Sequence, residues 1–205
     1  YFGSGAEYNP VQYKPLMKED YSKSSFPEGG YPLSKWIIGN DIEKAYSNKI
    51  LNLRLFAVYG CFENFNRRFI SNNICRVLAG TYISMNQDIK FDYIYVDDLC
   101  EYIWKILNAK SHAFKTYNIC SGKPVKLSFL AEIIKDLMAV SDPVKINSSG
   151  EQVQYSGNPS RAIQEFGEMK MTDHKDAIGE MITFFEYQFA KNDDFKKTIL
   201  GMFGE

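Results

Sequence analysis

Short runs rich in β-branched and aromatic residues alternate along this chain with longer stretches of apolar residues at helical spacing. That alternation restricts the fold more than any other feature. Residues 50–59 (Ile-Leu-Asn-Leu-Arg-Leu-Phe-Ala-Val-Tyr) alternate in part and are aliphatic, which predicts a strand ended by Gly60. Residues 91–96 and 116–120 predict two more strands, and 82–85 and 144–147 two short ones. Helices are predicted over about 32–47, 66–78, 97–108, 128–140, 158–165 and 173–191, with Gly80 and Gly167 as stops. Asp97-Asp98 and Ser128 read as caps of their helices, because a short oxygen-bearing side chain satisfies N–H groups that a helix start leaves unpaired. The chain opens on Tyr1-Phe2-Gly3-Ser4-Gly5, which reads as the end of a buried strand entering a turn. Strands and helices in this order predict an α/β fold with parallel strands.

Composition excludes several classes. The 205 residues carry a net charge of −1, so no basic field draws the chain to nucleic acid or to an anionic membrane. No apolar run approaches the roughly 18 residues that a membrane span needs. Cys61, Cys75, Cys100 and Cys120 lie far apart without CxxC or His/Cys spacing, so no metal site is expected; Cys75 and Cys100 read as small core residues. A reduced, cytoplasmic protein follows. The long connection at 9–30, rich in Pro, Lys, Asp, Glu and Ser, reads as functional or mobile, and residues 193–205 as a short helix or a loose tail.

The chemistry points to Ser4, Tyr31 and Lys35. Tyr31 and Lys35 are four apart in Tyr31-Pro32-Leu33-Ser34-Lys35, which opens a predicted helix and so sets phenol and ammonium one turn apart on one face. A free phenol titrates near pH ~10. A fixed positive charge beside it favours the phenolate, as proton transfer at neutral pH requires. Ser4 adds a hydroxyl able to hold a substrate oxygen, and the set suits oxidation and reduction of an alcohol/carbonyl pair. Among 14 tyrosines such a pair in isolation is more often a surface tyrosine with a solvated lysine. It gains weight from further segments in a particular order.

Those segments resemble the extended short-chain dehydrogenases/reductases, in their NAD-dependent epimerase/dehydratase branch acting on nucleotide sugars. Gly3-Ser4-Gly5-Ala6-Glu7-Tyr8 is similar to that family's Ser-Ser-x-x-x-Tyr turn, and Tyr31 to Lys35 to its Tyr-x-x-x-Lys. Leu53-Arg54-Leu55-Phe56-Ala57-Val58-Tyr59-Gly60 resembles Leu-Arg-x-x-Asn-Val-Tyr-Gly. Asp92 to Leu99 resembles Arg-Asp-Phe-Ile-Tyr-Val-Asp-Asp, and Tyr117 to Gly122 the Tyr-Asn-Ile-Gly-x-Gly strand and turn. The likeness covers about residues 1–190.

The resemblance implies the C-terminal part of a Rossmann-like parallel sheet (1–60 and about 86–140), a small mixed α/β substrate-binding domain (about 61–85 and 141–192) and a tail (193–205). It implies NAD or NADP as cofactor, a nucleotide sugar as substrate and a homodimer. Tyr31 would be the general acid/base, Lys35 would lower its pKa and hold the nicotinamide ribose, Ser4 would bind the reacting oxygen, and Phe56 would lie against the nicotinamide end. No Gly-rich phosphate turn occurs in the sequence. The expectation is therefore a fragment that is inactive alone and binds the cofactor weakly. Gly5-Ala6 stand where dehydratases of this family carry Asp-Glu, which favours epimerisation or keto reduction. Ala57 and Phe91 replace an Asn and an Arg that contact the substrate diphosphate, leaving Arg67, Arg68 or Lys90 as substitutes. The alternative is a catalytically silent relative acting as a binding or regulatory module.

Overall fold

The computed structural model of the chain describes every residue except Ser24, Asn48, Glu151, Gln152 and Glu205. The strands are β1 (Phe2–Ser4), β2 (Asn52–Leu55), β3 (Ala57–Tyr59), β4 (Ser84–Met85), β5 (Lys90–Phe91), β6 (Tyr93–Tyr95), β7 (Thr116–Ile119), β8 (Val125–Lys126) and β9 (Lys145–Ile146). The helices are α1 (Gly30–Lys44), α2 (Phe69–Leu78), α3 (Val96–Leu107), α4 (Leu127–Leu137), α5 (Ser160–Phe166), α6 (His174–Lys191) and α7 (Asp193–Phe203). They gather into two compact units, residues 1–58, 90–124 and 152–171 in the first and 59–89, 125–151 and 172–205 in the second.

The first unit is built on a parallel sheet in the order β1-β2-β7, with Phe2 opposite Leu53, Ser4 opposite Leu55 and Leu55 opposite Ile119. The α/β class with parallel strands is thus the observed one. Strands of three or four residues cannot stand alone, and a shared apolar layer holds them. Leu53, Tyr117 and Ile119 of the sheet pack with Leu99, Tyr102 and Ile106 of α3 and with Ala162 and Phe166 of α5. Each buried Leu, Ile or Phe among them contributes roughly 1.5–3 kcal/mol. The strand expected over 50–59 divides at Phe56. β2 joins β1 and β7, whereas β3 turns to β6, with the Ala57 N–H donating to the Asp92 carbonyl (3.1 Å). The connection at 9–30 is tied down rather than loose. Met17 is fully buried; its N–H donates to the Ser156 carbonyl (3.1 Å) and its carbonyl accepts from the Asn158 N–H (2.9 Å).

The second unit packs α2, α4, α6 and α7 together, with β4 paired in parallel to β9. The buried face of α4 (Leu127, Leu130, Ala131, Ile134) lies against α2 and α6. Residues 125–140, expected with the sheet, therefore belong here, while 152–171, expected with the substrate domain, belong to the first unit. The tail is a docked helix. Phe195 stacks on Phe185 (6.1 Å) and meets Phe65 edge-on (5.5 Å), and Ile199 is fully buried; Glu205 lies outside the described residues.

Helix starts show where local reading misplaces a cap. Asp173 caps α6 as its position suggests, accepting from the Lys175 N–H (2.8 Å). Ser128 does not cap α4: it is the helix's second residue, and the carboxylate of Asp88 accepts from both its N–H and its hydroxyl (2.9 Å each). Asp97 and Asp98 sit inside the first turn of α3, which starts one residue earlier. There their charge still favours the helix dipole. All four cysteines are free; Cys75 and Cys120 are buried, but Cys100 is exposed on α3, not in the core.

Candidate active site

The site is built outward from the C-terminal end of β1. Ser4 ends the strand and caps the 3-10 turn at Gly5–Glu7: its Oγ accepts from the Ala6 N–H (3.1 Å), and the Glu7 carboxylate accepts in return from the Ser4 N–H (3.2 Å). Glu7 is fully buried. Its charge is met by Arg54 Nε at 2.6 Å, and Asn52 Nδ2 donates to both carboxylate oxygens (3.2 and 3.1 Å). A β-carbon at Gly39 would lie 2.6 Å from Glu7 Oε2, so α1 reaches the sheet only because this position has no side chain. Arg54 also donates to the Glu19 carbonyl (2.9 Å) and to Tyr8 Oη (3.4 Å), and the Tyr8 hydroxyl donates to Asn118 Oδ1 (2.8 Å). This buried network holds residues 4–8 from beneath. Burial raises the Tyr8 pKa, although the Arg54 charge opposes the rise.

Above it stands α1. Pro32 falls in the helix's first turn, where its missing N–H is not needed. Tyr31 and Lys35 share one face: Lys35 Nζ lies 5.6 Å from the Tyr31 ring centroid and 4.8 Å from that of Tyr1, and donates to the Phe2 carbonyl (2.8 Å). Lys35 thereby pins the face that carries Tyr31 to the strand that ends in Ser4. Tyr31 is 60% exposed, whereas Ser4 is only 9% exposed.

A residue without any sequence signal, Tyr155, joins these parts. A β-carbon at Gly5, next to Ser4, would stand 2.3 Å from its hydroxyl, and its ring lies 5.0 Å from Phe56, 5.7 Å from Tyr13 and 5.9 Å from Phe91. The structure thus brings Ser4, Tyr31, Lys35, Phe56 and Phe91 into one neighbourhood, with Ala57 next to Phe56 in β3. Phe56 is 7% exposed and packed under Tyr155 and against Tyr8 (6.2 Å), so it supports the site from below rather than facing open space. Lys90 is exposed, and its carbonyl accepts from the Tyr155 N–H (3.0 Å). Arg67 and Arg68 belong to the second unit, exposed in the turn before α2.

Sequence reasoning assigned no role to Asp92, Glu7 or Tyr155. Asp92 Oδ1 accepts from the Ser121 N–H and hydroxyl (2.6 Å each) and Oδ2 from the Gly122 N–H (2.9 Å), fixing the turn after β7. Burial raises its pKa while these donors pull it back. Beside that turn opens a cavity of about 120 Å³ lined by Tyr102, Cys120, Ser121, Lys123, Pro159 and Glu168. Among the described residues no group of three or more His, Cys, Asp or Glu could hold a metal ion, and no helix is long and apolar enough to cross a membrane.

The model of the NAD dependent epimerase/dehydratase family matches residues 1–120, more than half of the chain. The chain belongs to that family. Among solved structures it is similar to dTDP-glucose 4,6-dehydratase from Bacillus anthracis in complex with NAD, at 16% identity and a TM-score of 0.76, over 95% of this chain and 63% of that one. UDP-glucuronic acid 4-epimerase from Bacillus cereus, in complex with UDP-glucuronic acid and NAD, gives 17% identity and a TM-score of 0.74 over 91% and 60%. RMD from Pseudomonas aeruginosa, complexed with NADPH, gives 21% and 0.73 over 92% and 65%. At such identities the likeness is one of fold. The chain thus spans about 60–65% of the length of these three structures. No curated protein sequence matches it.

Proposed function

We propose that this chain carries the proton-transfer site of a nicotinamide-dependent enzyme that epimerises, or reduces a keto group of, a nucleotide sugar. The observation that carries this reading is the exposed Tyr31 phenol with the Lys35 ammonium 5.6 Å from its ring, on a helix face fastened to the strand that ends in Ser4. Tyr31 takes the proton of a substrate hydroxyl or returns it to a carbonyl oxygen. Lys35 stands beside the phenol as a positive charge, and Ser4 donates to the reacting oxygen. Gly5 and Ala6 offer no carboxylate beside Ser4, which supports epimerisation or reduction over loss of water.

The residues present fit the nicotinamide-ribose end of the cofactor. Lys35 gives one N–H to Phe2 and keeps two more for ribose hydroxyls, and Tyr31 and Ser4 border the same space. When bound, the nicotinamide supplies hydride exchange with the substrate carbon. No Gly-rich turn in the sequence offers backbone N–H groups to its diphosphate, so weak dinucleotide binding by this chain alone is part of the proposal. Lys90, exposed beside Phe91, supports binding of the substrate diphosphate where Ala57 and Phe91 bring no charge. Ile37 and Ile38, exposed on α1, support a homodimer through that helix, which sedimentation would check; cytoplasmic residence belongs to the same reading.

The test is turnover of a panel of UDP- and dTDP-sugars by the full-length gene product containing this sequence, with NAD(H) and NADP(H). Turnover that Tyr31→Phe abolishes supports the proposal. Undiminished activity of Tyr31→Phe overturns it, and a stable cofactor complex without turnover on any sugar favours the silent binding module.

A further inference from the structure

A lysine side chain is a flexible four-carbon stem ending in three N–H donors, so where its charge stands depends on what holds that end. Lys35 is held at two points. Its Nζ donates to the Phe2 carbonyl (2.8 Å) and lies 4.8 Å from the centre of the Tyr1 ring, closer than the 5.6 Å to Tyr31. The place of Tyr1 is itself fixed. Its backbone nitrogen donates to the Leu51 carbonyl (2.8 Å) and its carbonyl accepts from the Leu53 N–H (3.0 Å), which fastens it alongside β2. Residues 31, 35 and 39 share one face of α1, and residues 1 and 3 share one face of the first strand. Those faces meet at Gly3 and Gly39, where an added β-carbon would stand 2.4 and 2.6 Å from the Glu7 carboxylate oxygens. One turn back along the helix they meet again, at Lys35 and Tyr1.

We propose that Tyr1 is a positioning residue that holds the Lys35 ammonium beside Tyr31, where it meets the cofactor ribose. The inference rests on the reading of Tyr31 and Lys35 given above. A carboxylate in place of Tyr1 would also hold the ammonium, but it would cancel the charge and take up further N–H groups. The face of an aromatic ring attracts a cation through its quadrupole and does neither. Gripped between the Phe2 carbonyl and the Tyr1 ring, the ammonium keeps its charge and two N–H groups for the site, and its long stem is kept from swinging into solvent. The ring does this and the hydroxyl does not, so phenylalanine serves at position 1 and leucine fails there. Tyr1 acts through Lys35 without touching substrate or cofactor.

Two readouts on the full-length gene product decide this. In acetylation by a water-soluble active ester, followed lysine by lysine by mass spectrometry, Tyr1→Leu should speed modification of Lys35 by about 3–10-fold relative to the other lysines, and Tyr1→Phe should leave it unchanged. An unchanged rate in Tyr1→Leu overturns the proposal, and so does a Tyr1→Phe rate as fast as that of Tyr1→Leu. In titration with NAD(H) and NADP(H), Tyr1→Leu should weaken binding by about 3–10-fold, and should cost nothing further in a Lys35→Met background. A general loosening of the strand would weaken binding by the same factor in both backgrounds, and that result, or no loss at all, also overturns it. Lys35→Met is the control: if it binds cofactor as tightly as the unaltered protein, the ribose contact of the proposed function fails, while the acetylation rates still decide whether Tyr1 holds Lys35.

Discussion

Tyr8 and Tyr31 each have a cation over the ring, Arg54 at 5.1 Å and Lys35 at 5.6 Å, and both belong to the same compact unit. Their surroundings are opposite. Tyr8 is fully buried, gives its proton to Asn118, and shares an arginine already committed to Glu7 at 2.6 Å. Tyr31 is 60% exposed, and among the described residues its lysine holds a backbone carbonyl and ring faces. For Tyr8, loss of water outweighs the nearby charge, so its pKa rises. A cation near a phenol therefore does not make an acid/base group; the phenol must also be reachable and its charge solvated. The closed pair anchors residues 4–8, and the open pair is left available for chemistry.

Substitutions can break the contrast from either end. The largest effect is expected at the open end: Tyr31→Phe should lower kcat of the full-length gene product by about 10²–10⁴-fold without moving its unfolding midpoint. Next, Arg54→Met leaves Glu7 buried without its counter-charge and should destabilise by about 3–5 kcal/mol in denaturant unfolding. Lys35→Met should change stability by less than about 1 kcal/mol. Gly39→Ala pushes a methyl into Glu7 and Asn52, and a loss of about 1–3 kcal/mol is expected by the same measurement. Tyr8→Phe removes the hydrogen bond to Asn118 and should cost about 1 kcal/mol while leaving KM unchanged.

The smallest effect sharpens the point about burial. His174 is a half-buried group whose Nδ1 lies 2.8 Å from Tyr59 Oη, and loss of solvent lowers its pKa from the usual 6.5. The unfolded chain then binds the extra proton more readily than the folded one. Stability from this group is fully present above pH 6.5 and is lost as pH falls through the lowered folded value. His174→Gln should flatten that part of the stability–pH curve; an equally steep slope in the variant would assign it to other groups.

Much of the fold was legible because it is local. Helical periodicity placed α2, α3, α4 and α6 to within a few residues, and the spacing of four put Lys35 beside Tyr31 before any tertiary contact was known. What the local pattern missed shares one cause. The break at Phe56 depends on which strand each half pairs with, the cap of α4 comes from Asp88 forty residues away, and the exposure of Cys100 depends on which face of α3 the sheet covers. Glu7 is an unremarkable acidic residue in sequence, and becomes the centre of the buried network only because Gly39 and Arg54 converge on it.

The sequence alone determined the order of elements, the parallel α/β class and the pairing of phenol with ammonium, since each follows from periodicity over a few residues. Only the tertiary structure decided which tyrosine is open and which is closed, and that the Tyr155 hydroxyl comes against Gly5 from far along the chain. Burial and desolvation are set by every segment that packs on a group, and that sum is not contained in the residues on either side of it.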